Sequence, residues 1–185
     1  IKPIVMLSLL FGAIKFASGQ TKPEVLGSPD AFIYDMKLIE EKQFLIANLG
    51  NTIQLWNYRT KNLIHSWRSS QILAIDYVNN KLAGVSKSGD IVIWSFPDGK
   101  EALQKNISDV PLTCVAWIDS VFLAVGSENG DVMKVNSITG DIVSRMSNRG
   151  AITALTKGQD NNLVTGNAIG VISVYDARDM RLHYT

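Results

Sequence analysis

The residues of this 185-residue chain that could do chemistry are few, and none of them forms a recognisable reactive set. The two histidines, His65 and His183, are not paired at a metal-ligand spacing, and no nucleophile lies near either in a catalytic arrangement. The glycines fall at hairpin turns rather than in a phosphate-binding loop before a helix. We therefore expect no catalytic residue, no metal site and no cofactor.

The single cysteine, Cys114, lies in the alternating apolar stretch LTCVAWI, which favours a buried small hydrophobic residue over a reactive thiol. One cysteine excludes an internal disulfide framework, which fits a reducing compartment such as the cytoplasm or nucleus. Asn106 opens an Asn-Ile-Ser triplet, a glycosylation acceptor only if the chain enters the secretory route.

The charge balance and composition favour a globular protein and give no sign of a nucleic-acid-binding one. The chain carries 18 basic and 17 acidic residues, a net charge of +1, with no long run of either sign. This balance gives no electrostatic reason to expect a nucleic-acid partner. A hydrophobic content of 46% is typical of a globular protein, and the length suits one domain with a sizeable core.

The sequence contains a repeated pattern of predicted strands and turns, and these elements would position any functional site. Turn glycines recur in steps of 39, 41 and 40 residues, and a residue near the end of the third strand follows each one after five or six residues. Four short antiparallel strands fit each period, which predicts an all-β fold, a β-propeller segment of about four four-stranded blades. The repeat positions are Gly50, Gly89, Gly130 and Gly170, followed by Trp56, Trp94, Val135 and Tyr175.

The predicted blades span about residues 31–67, 72–107, 112–146 and 152–185. The connections between them are short, so consecutive blades must be neighbours in space. Each blade then buries both faces, and the aromatic side chains of Trp56, Trp94 and Tyr175 are expected to pack between blades.

Three stretches resemble the WD-repeat β-propellers: GDIVIWS at residues 89–95, NTIQLWN at 51–57 and GVISVYD at 170–176. They match the family's glycine turn, third strand and Trp-Asp pair, and the resemblance covers roughly residues 31–185. It implies a non-catalytic scaffold that binds protein partners through the blade-to-blade connections and the turns between second and third strands. On this chain that face would present Arg68, Ser69, Gln71, Lys87, Asp109, Glu128, Asn148 and Arg149.

The chain departs from the WD pattern in ways that keep alternatives open. No Gly-His pair precedes a first strand, and the turn position favoured for Asp holds Leu49, Ser88, Asn129 or Ile169. The family's His-Ser-Asp-Trp tetrad therefore cannot form, and a looser, quinoprotein-like propeller superfamily remains an alternative. An enzyme of that class is disfavoured because its repeats carry a Trp that is absent after Thr139 and Gly140.

The first residues lie outside the repeat. Residues 1–19 resemble a secretory signal peptide, with a basic start and an apolar core too short to span a bilayer; they equally fit the remnant of a preceding blade. Residues 20–30 are rich in Pro, Gly and Ser, which predicts that they form a linker. The signal-peptide interpretation would make the chain a secreted or luminal sensor or binding domain.

Closure of the ring is a separate question. Four blades are the minimum of the usual range, and an open arc would leave apolar faces on its first and last blades. We therefore expect either further blades from a longer chain or self-association.

Overall fold

Four antiparallel sheets of four strands account for residues 32–185, the part of the chain that this computed structural model describes. Within each sheet the strands follow chain order, so each sheet is a meander that forms one propeller blade. This confirms the predicted fold class. The predicted signal peptide or blade remnant and the linker lie outside the described residues.

The strands of blade 1 are β1 (Asp35–Ile39), β2 (Phe44–Asn48), β3 (Thr52–Asn57) and β4 (Asn62–Arg68), with a short 3-10 turn at Glu40–Lys42. Blade 2 contains β5 (Ile72–Val78), β6 (Lys81–Ser86), β7 (Asp90–Ser95) and β8 (Lys100–Asn106). Blade 3 contains β9 (Leu112–Trp117), β10 (Phe122–Ser127), β11 (Asp131–Asn136) and β12 (Ile142–Ser147). Blade 4 contains β13 (Ile152–Lys157), β14 (Asn162–Asn167), β15 (Ile172–Asp176) and β16 (Leu182–Tyr184).

The repeat fixes the register of every blade. The recurring third-strand residue is the last but one of its strand and lies opposite a leucine of the second strand in all four sheets. Because side chains alternate across a strand, this pairing puts equivalent residues on the same face of every blade. The pairs are Leu45–Trp56, Leu82–Trp94, Leu123–Val135 and Leu163–Tyr175.

The sequence predicts the first strand over residues 32–38, whereas the strand begins three residues later, at Asp35. The Asp35 carboxylate accepts the N–H of Met36 in its own strand and that of Ile75 in blade 2. Asp35, the first residue of β1, is therefore also hydrogen-bonded to the neighbouring blade.

The core consists of three apolar layers, one between each pair of consecutive blades. Trp94 is 3% exposed and packs in the layer between blades 1 and 2, while Tyr175 packs between blades 3 and 4. Trp56 differs from the expectation, because it is only half-buried and its indole donates to Gln54 of the same strand. It lies on the side of blade 1 that faces away from blade 2.

Candidate interaction surface

The surface formed by the blade-to-blade connections and the turns between second and third strands is called the connection face below. At the junction of blades 1 and 2, main-chain bonds hold the connection on both sides. Ser69 N–H donates to Asn51 O at 3.0 Å, and Lys87 N–H donates to Gln71 O at 3.1 Å. The connection is thus bonded to the turn of the blade it leaves and to that of the blade it enters.

The same pattern recurs at the other two junctions. Between blades 2 and 3, Ile107 N–H donates to Gly89 O at 3.0 Å and Glu128 N–H donates to Pro111 O at 2.9 Å. Between blades 3 and 4, the corresponding bonds are Asn148 N–H to Gly130 O and Ala168 N–H to Ala151 O. Repeated backbone anchoring of this kind holds the loops in a defined position without using their side chains.

Two turn glycines lie directly against the connections. A Cβ atom at Gly89 would lie 1.8 Å from the carbonyl oxygen of Ser108, and one at Gly130 would lie 2.2 Å from that of Asn148. Both glycines also have a positive φ, of +85° and +94°. Close backbone approach and left-handed conformation together explain why the period is marked by glycine.

The eight predicted contact residues divide into two groups. Ser69 and Asn148 are half-buried and stabilise the loops: the Ser69 hydroxyl donates to Gly50 O, and Asn148 Oδ1 accepts the hydroxyl of Tyr175 at 2.7 Å. The other six side chains project into solvent. They are Arg68, Gln71, Lys87, Asp109, Glu128 and Arg149.

The exposed charges are segregated by junction. Arg68 and Lys87 make the first junction basic, Asp109 and Glu128 make the second acidic, and Arg149 makes the third basic. Within residues 32–185, none of these five side chains forms an ion pair or a hydrogen bond. Their charge is therefore directed at solvent, where it can meet a partner.

A cleft of about 230 Å³ opens at the first junction and brings Gln71 and Lys87 together with Tyr34 and Asn51. The sequence did not indicate Tyr34 or Asn51 as surface residues of this site. Tyr34 packs its ring over Gly50, since a Cβ there would lie 2.8 Å from the ring. The signal for this contact is the turn glycine itself, which leaves room for an aromatic ring.

Local polar networks occupy the turns where the WD tetrad is missing. Asp90 accepts the hydroxyl of Ser88 at 2.6 Å and the side-chain amide of Asn106 at 3.0 Å. Asp131 is buried and accepts the hydroxyl of Ser147 at 2.6 Å. The Asn106 amide, the predicted glycosylation acceptor, is thus exposed but bonded to the turn of its own blade.

The potentially reactive side chains are not brought together. His65 is exposed beside Trp67, and His183 is exposed in β16. Across residues 32–185, no three His, Cys, Asp or Glu side chains are grouped so that they could hold a metal ion. In the same residues no helix has the length and apolar character needed to cross a membrane. What the arrangement offers chemically is a rigid surface of exposed charges.

Comparison with known proteins shows the fold and leaves the family open. No protein-family model and no curated protein sequence matches the chain. Among solved structures, the computationally designed protein Ika4 is similar at a TM-score of 0.72 and 20% identity, over 84% of this chain and 99% of that one.

Two natural WD40 propeller proteins are also similar. U3-55K matches at a TM-score of 0.77 and 16% identity over 86% of this chain, and a chain of the mitotic checkpoint complex matches at 0.74 and 17% over 84%. The matches cover 53% and 51% of those chains, so this chain spans about half their length. The fold is therefore that of a β-propeller segment, about half as long as the two propeller chains to which it is similar.

Proposed function

We propose that this chain is a non-catalytic scaffold module that binds a protein partner through its connection face. The observation that carries the proposal is a set of five exposed charges that have no ion pair within residues 32–185. They lie at junctions where the backbone of the connection is hydrogen-bonded to both blades. A rigid framework that displays variable loops is the usual way in which such folds bind. The similarity to a chain of the mitotic checkpoint complex supports the proposal, because that chain has a similar fold and is part of a protein assembly.

The charge pattern predicts what the partner surface carries. A basic, an acidic and a second basic junction favour a partner whose facing surface is acidic, basic and acidic in the same order. Exposed charges of this kind steer association and set the orientation of binding more than they add to affinity. Binding is therefore expected to weaken as salt concentration rises.

The proposal is tested by charge reversal at the first junction. The full chain carrying Arg68→Glu and Lys87→Glu is compared with the wild type in affinity capture from cells that express it. The matched control carries Arg59→Glu, in the turn between β3 and β4, and Lys100→Glu, at the first residue of β8. These make the same charge change at the opposite end of the blades. Any partner recovered is then purified, and its Kd is measured at low and physiological salt.

We expect the partner to bind the wild type and the control and to be lost from the connection-face variant, with a Kd that rises with salt. Equal loss from the control variant would show that the opposite end binds. Retention by both variants would remove the connection face as the binding site.

A further inference from the structure

Each blade has two faces, which we name by the neighbour they meet: the preceding face packs on the blade before, and the following face packs on the blade after. Three junctions inside the chain join a following face to a preceding face. The preceding face of blade 1 and the following face of blade 4 have no such neighbour among residues 32–185. They are the two halves of a junction of the kind the chain already makes three times.

The open face of blade 1 is apolar and has buried counterparts elsewhere. Met36 is 53% exposed, although its register position holds Ile75 in blade 2 and Val115 in blade 3, both buried. Ile33 is 47% exposed. Ile33 lies three residues before Met36 in the sequence repeat. The residues at the same place in the other three blades are all buried, namely Ile72, Leu112 and Ile152.

The open face of blade 4 shows the same contrast. Ile172 is 64% exposed, whereas its counterparts Ile91 and Val132 are completely buried. Beside Ile172 a shallow apolar cleft of about 260 Å³ runs past Ala154 and Gly166. Apolar side chains that are buried at every other junction are exposed here because no blade formed by residues 32–185 covers them.

The junction between blades 3 and 4 shows how the two open faces would fit. There the side chain of Ile152 enters the space over Gly126, where an added Cβ would lie 2.7 Å from Ile152. Gly166 holds the position of Gly126 in blade 4, and among residues 32–185 the nearest atom to an added Cβ there is Ala154 Cβ, at 3.7 Å. Ile33 holds the position of Ile152 in blade 1.

From these equivalences we propose that two copies of the chain associate head to tail, with blade 4 of each packed on blade 1 of the other, and close one eight-bladed ring. Ile33 of each copy fills the space over Gly166 of the other. The stoichiometry of two follows from the comparison, since this chain spans 51–53% of the two similar natural propeller chains. Eight blades lie within the range that closed propellers use.

A second copy is favoured over an unrelated protein because the two open faces supply both sides of the missing junction. Each copy has one face of each type, so a pair related by a two-fold axis satisfies both at once. Burying the exposed isoleucines and methionine supplies the hydrophobic driving force for association. This inference does not depend on a partner at the connection face.

The test measures the mass of the full chain by light scattering during size-exclusion chromatography. We expect the wild type to elute at twice the mass of one chain. Ile172→Glu places a carboxylate on the blade 4 face, and Ile33→Lys places an ammonium group on the blade 1 face. Each variant alone sets a charge against an apolar surface at both junctions, which should weaken association on the order of 100-fold or more.

Mixing the two variants gives a sharper result. In the mixed pair one junction keeps both native isoleucines, and the other sets the new ammonium against the new carboxylate. We expect each variant alone to be a monomer with a cooperative melt, and the mixture to recover a dimer containing one copy of each.

Two results would overturn the proposal. A wild-type monomer, or an assembly larger than two chains, would mean that another occupant covers these faces. Variants that remain apart when mixed would show that the blade 1 and blade 4 faces do not meet. A matched control, Ile138→Glu, puts the same charge at an exposed isoleucine in the turn between β11 and β12, and should leave the dimer intact.

Discussion

The carboxylate of Asp76, on the first strand of blade 2, accepts the main-chain N–H of Trp117 in blade 3 at 2.7 Å. The indole N–H of Trp117 also donates to Asp76, to its main-chain carbonyl oxygen at 3.0 Å. Trp117 thus donates two hydrogen bonds to Asp76, which join neighbouring first strands, and Lys37 of blade 1 pairs with the same carboxylate at 3.3 Å. Asp76 connects three consecutive blades.

Replacing this carboxylate should therefore cost stability. Asp76→Ala leaves the N–H of the buried Trp117 without its side-chain acceptor, so we expect the free energy of unfolding to fall by about 1–3 kcal/mol. Asp76→Asn keeps an acceptor oxygen and should lose less. Urea unfolding followed by tryptophan fluorescence measures both, with the exposed Asp109→Ala as the control. Equal stability of all three variants would contradict the structural role.

The turn glycines offer a matched comparison between steric contact and backbone strain. Gly89 and Gly170 have nearly the same φ, +85° and +82°, but a Cβ at Gly170 would have no neighbour within 4 Å among residues 32–185. Gly170→Ala should cost only the left-handed conformation, about 1–2 kcal/mol. Gly89→Ala must also displace the connection at Ser108, which raises the expected loss to roughly 3 kcal/mol or more. Thermal unfolding of the two variants would show no difference if the connection could move freely.

Some of this architecture follows directly from local sequence. The period is visible because each turn needs a glycine and each third strand ends in an apolar or aromatic residue and a small polar one. Trp56 and Trp94 show what local sequence cannot predict. Their sequence contexts are similar, yet the side chain of Trp56 is half-buried and that of Trp94 is buried. Trp94 is covered by blade 1, whereas no blade formed by residues 32–185 covers the face of blade 1 on which Trp56 lies.

Polar contacts between blades could not be predicted from the sequence either, because their partners lie in other repeats. Lys134 lies in the apolar third strand of blade 3, yet its ammonium group is buried and donates to the carbonyl oxygens of Ala177 and Arg178 in blade 4. It also lies 4.7 Å from the ring centre of Phe122. No sequence pattern predicts two acceptors more than 40 residues away. Likewise, the sequence grouped Ser69 with Arg68, although one stabilises the loop and the other is exposed.

Lys134 should hold blade 4 to blade 3. Lys134→Met keeps much of the apolar stem but leaves two carbonyl groups without their donor, with an expected loss of about 1–3 kcal/mol. The amides of β15 should then exchange hydrogen for deuterium faster than those of blade 2, because the junction of blades 3 and 4 is weakened first. The exposed Lys157→Met is the control. Uniform protection across all blades would refute a local role.

The thiol of Cys114 should be unreactive in the folded chain. Burial between blades 3 and 4 raises the pKa of the Cys114 thiol, which lowers the fraction of reactive thiolate at any given pH. We expect iodoacetamide at pH 8 to modify it at least about 100-fold more slowly than in denaturant, since reaction requires local opening. Mass spectrometry follows the reaction, and an exposed thiol introduced by Ser88→Cys in a Cys114→Ala background provides the fast reference. Rapid modification of native Cys114 would indicate that this junction opens readily.

The surface contact between Lys105 of blade 2 and Asp141 of blade 3 should be detectable as a shift in the titration of the Asp141 carboxyl. Lys105 donates to Asp141 at 2.7 Å, and this hydrogen bond, with a further one from Thr139, holds the pKa of the Asp141 carboxyl below its usual range. The charged form is the one that is stabilised, so the contact persists above the usual carboxyl pKa and is lost as pH falls through the lowered value. Lys105→Met should raise the titration midpoint of Asp141, measured from its carboxyl carbon shift, whereas Lys100→Met should leave it unchanged. An unaltered midpoint in Lys105→Met would mean that the ammonium group does not hold Asp141 in solution.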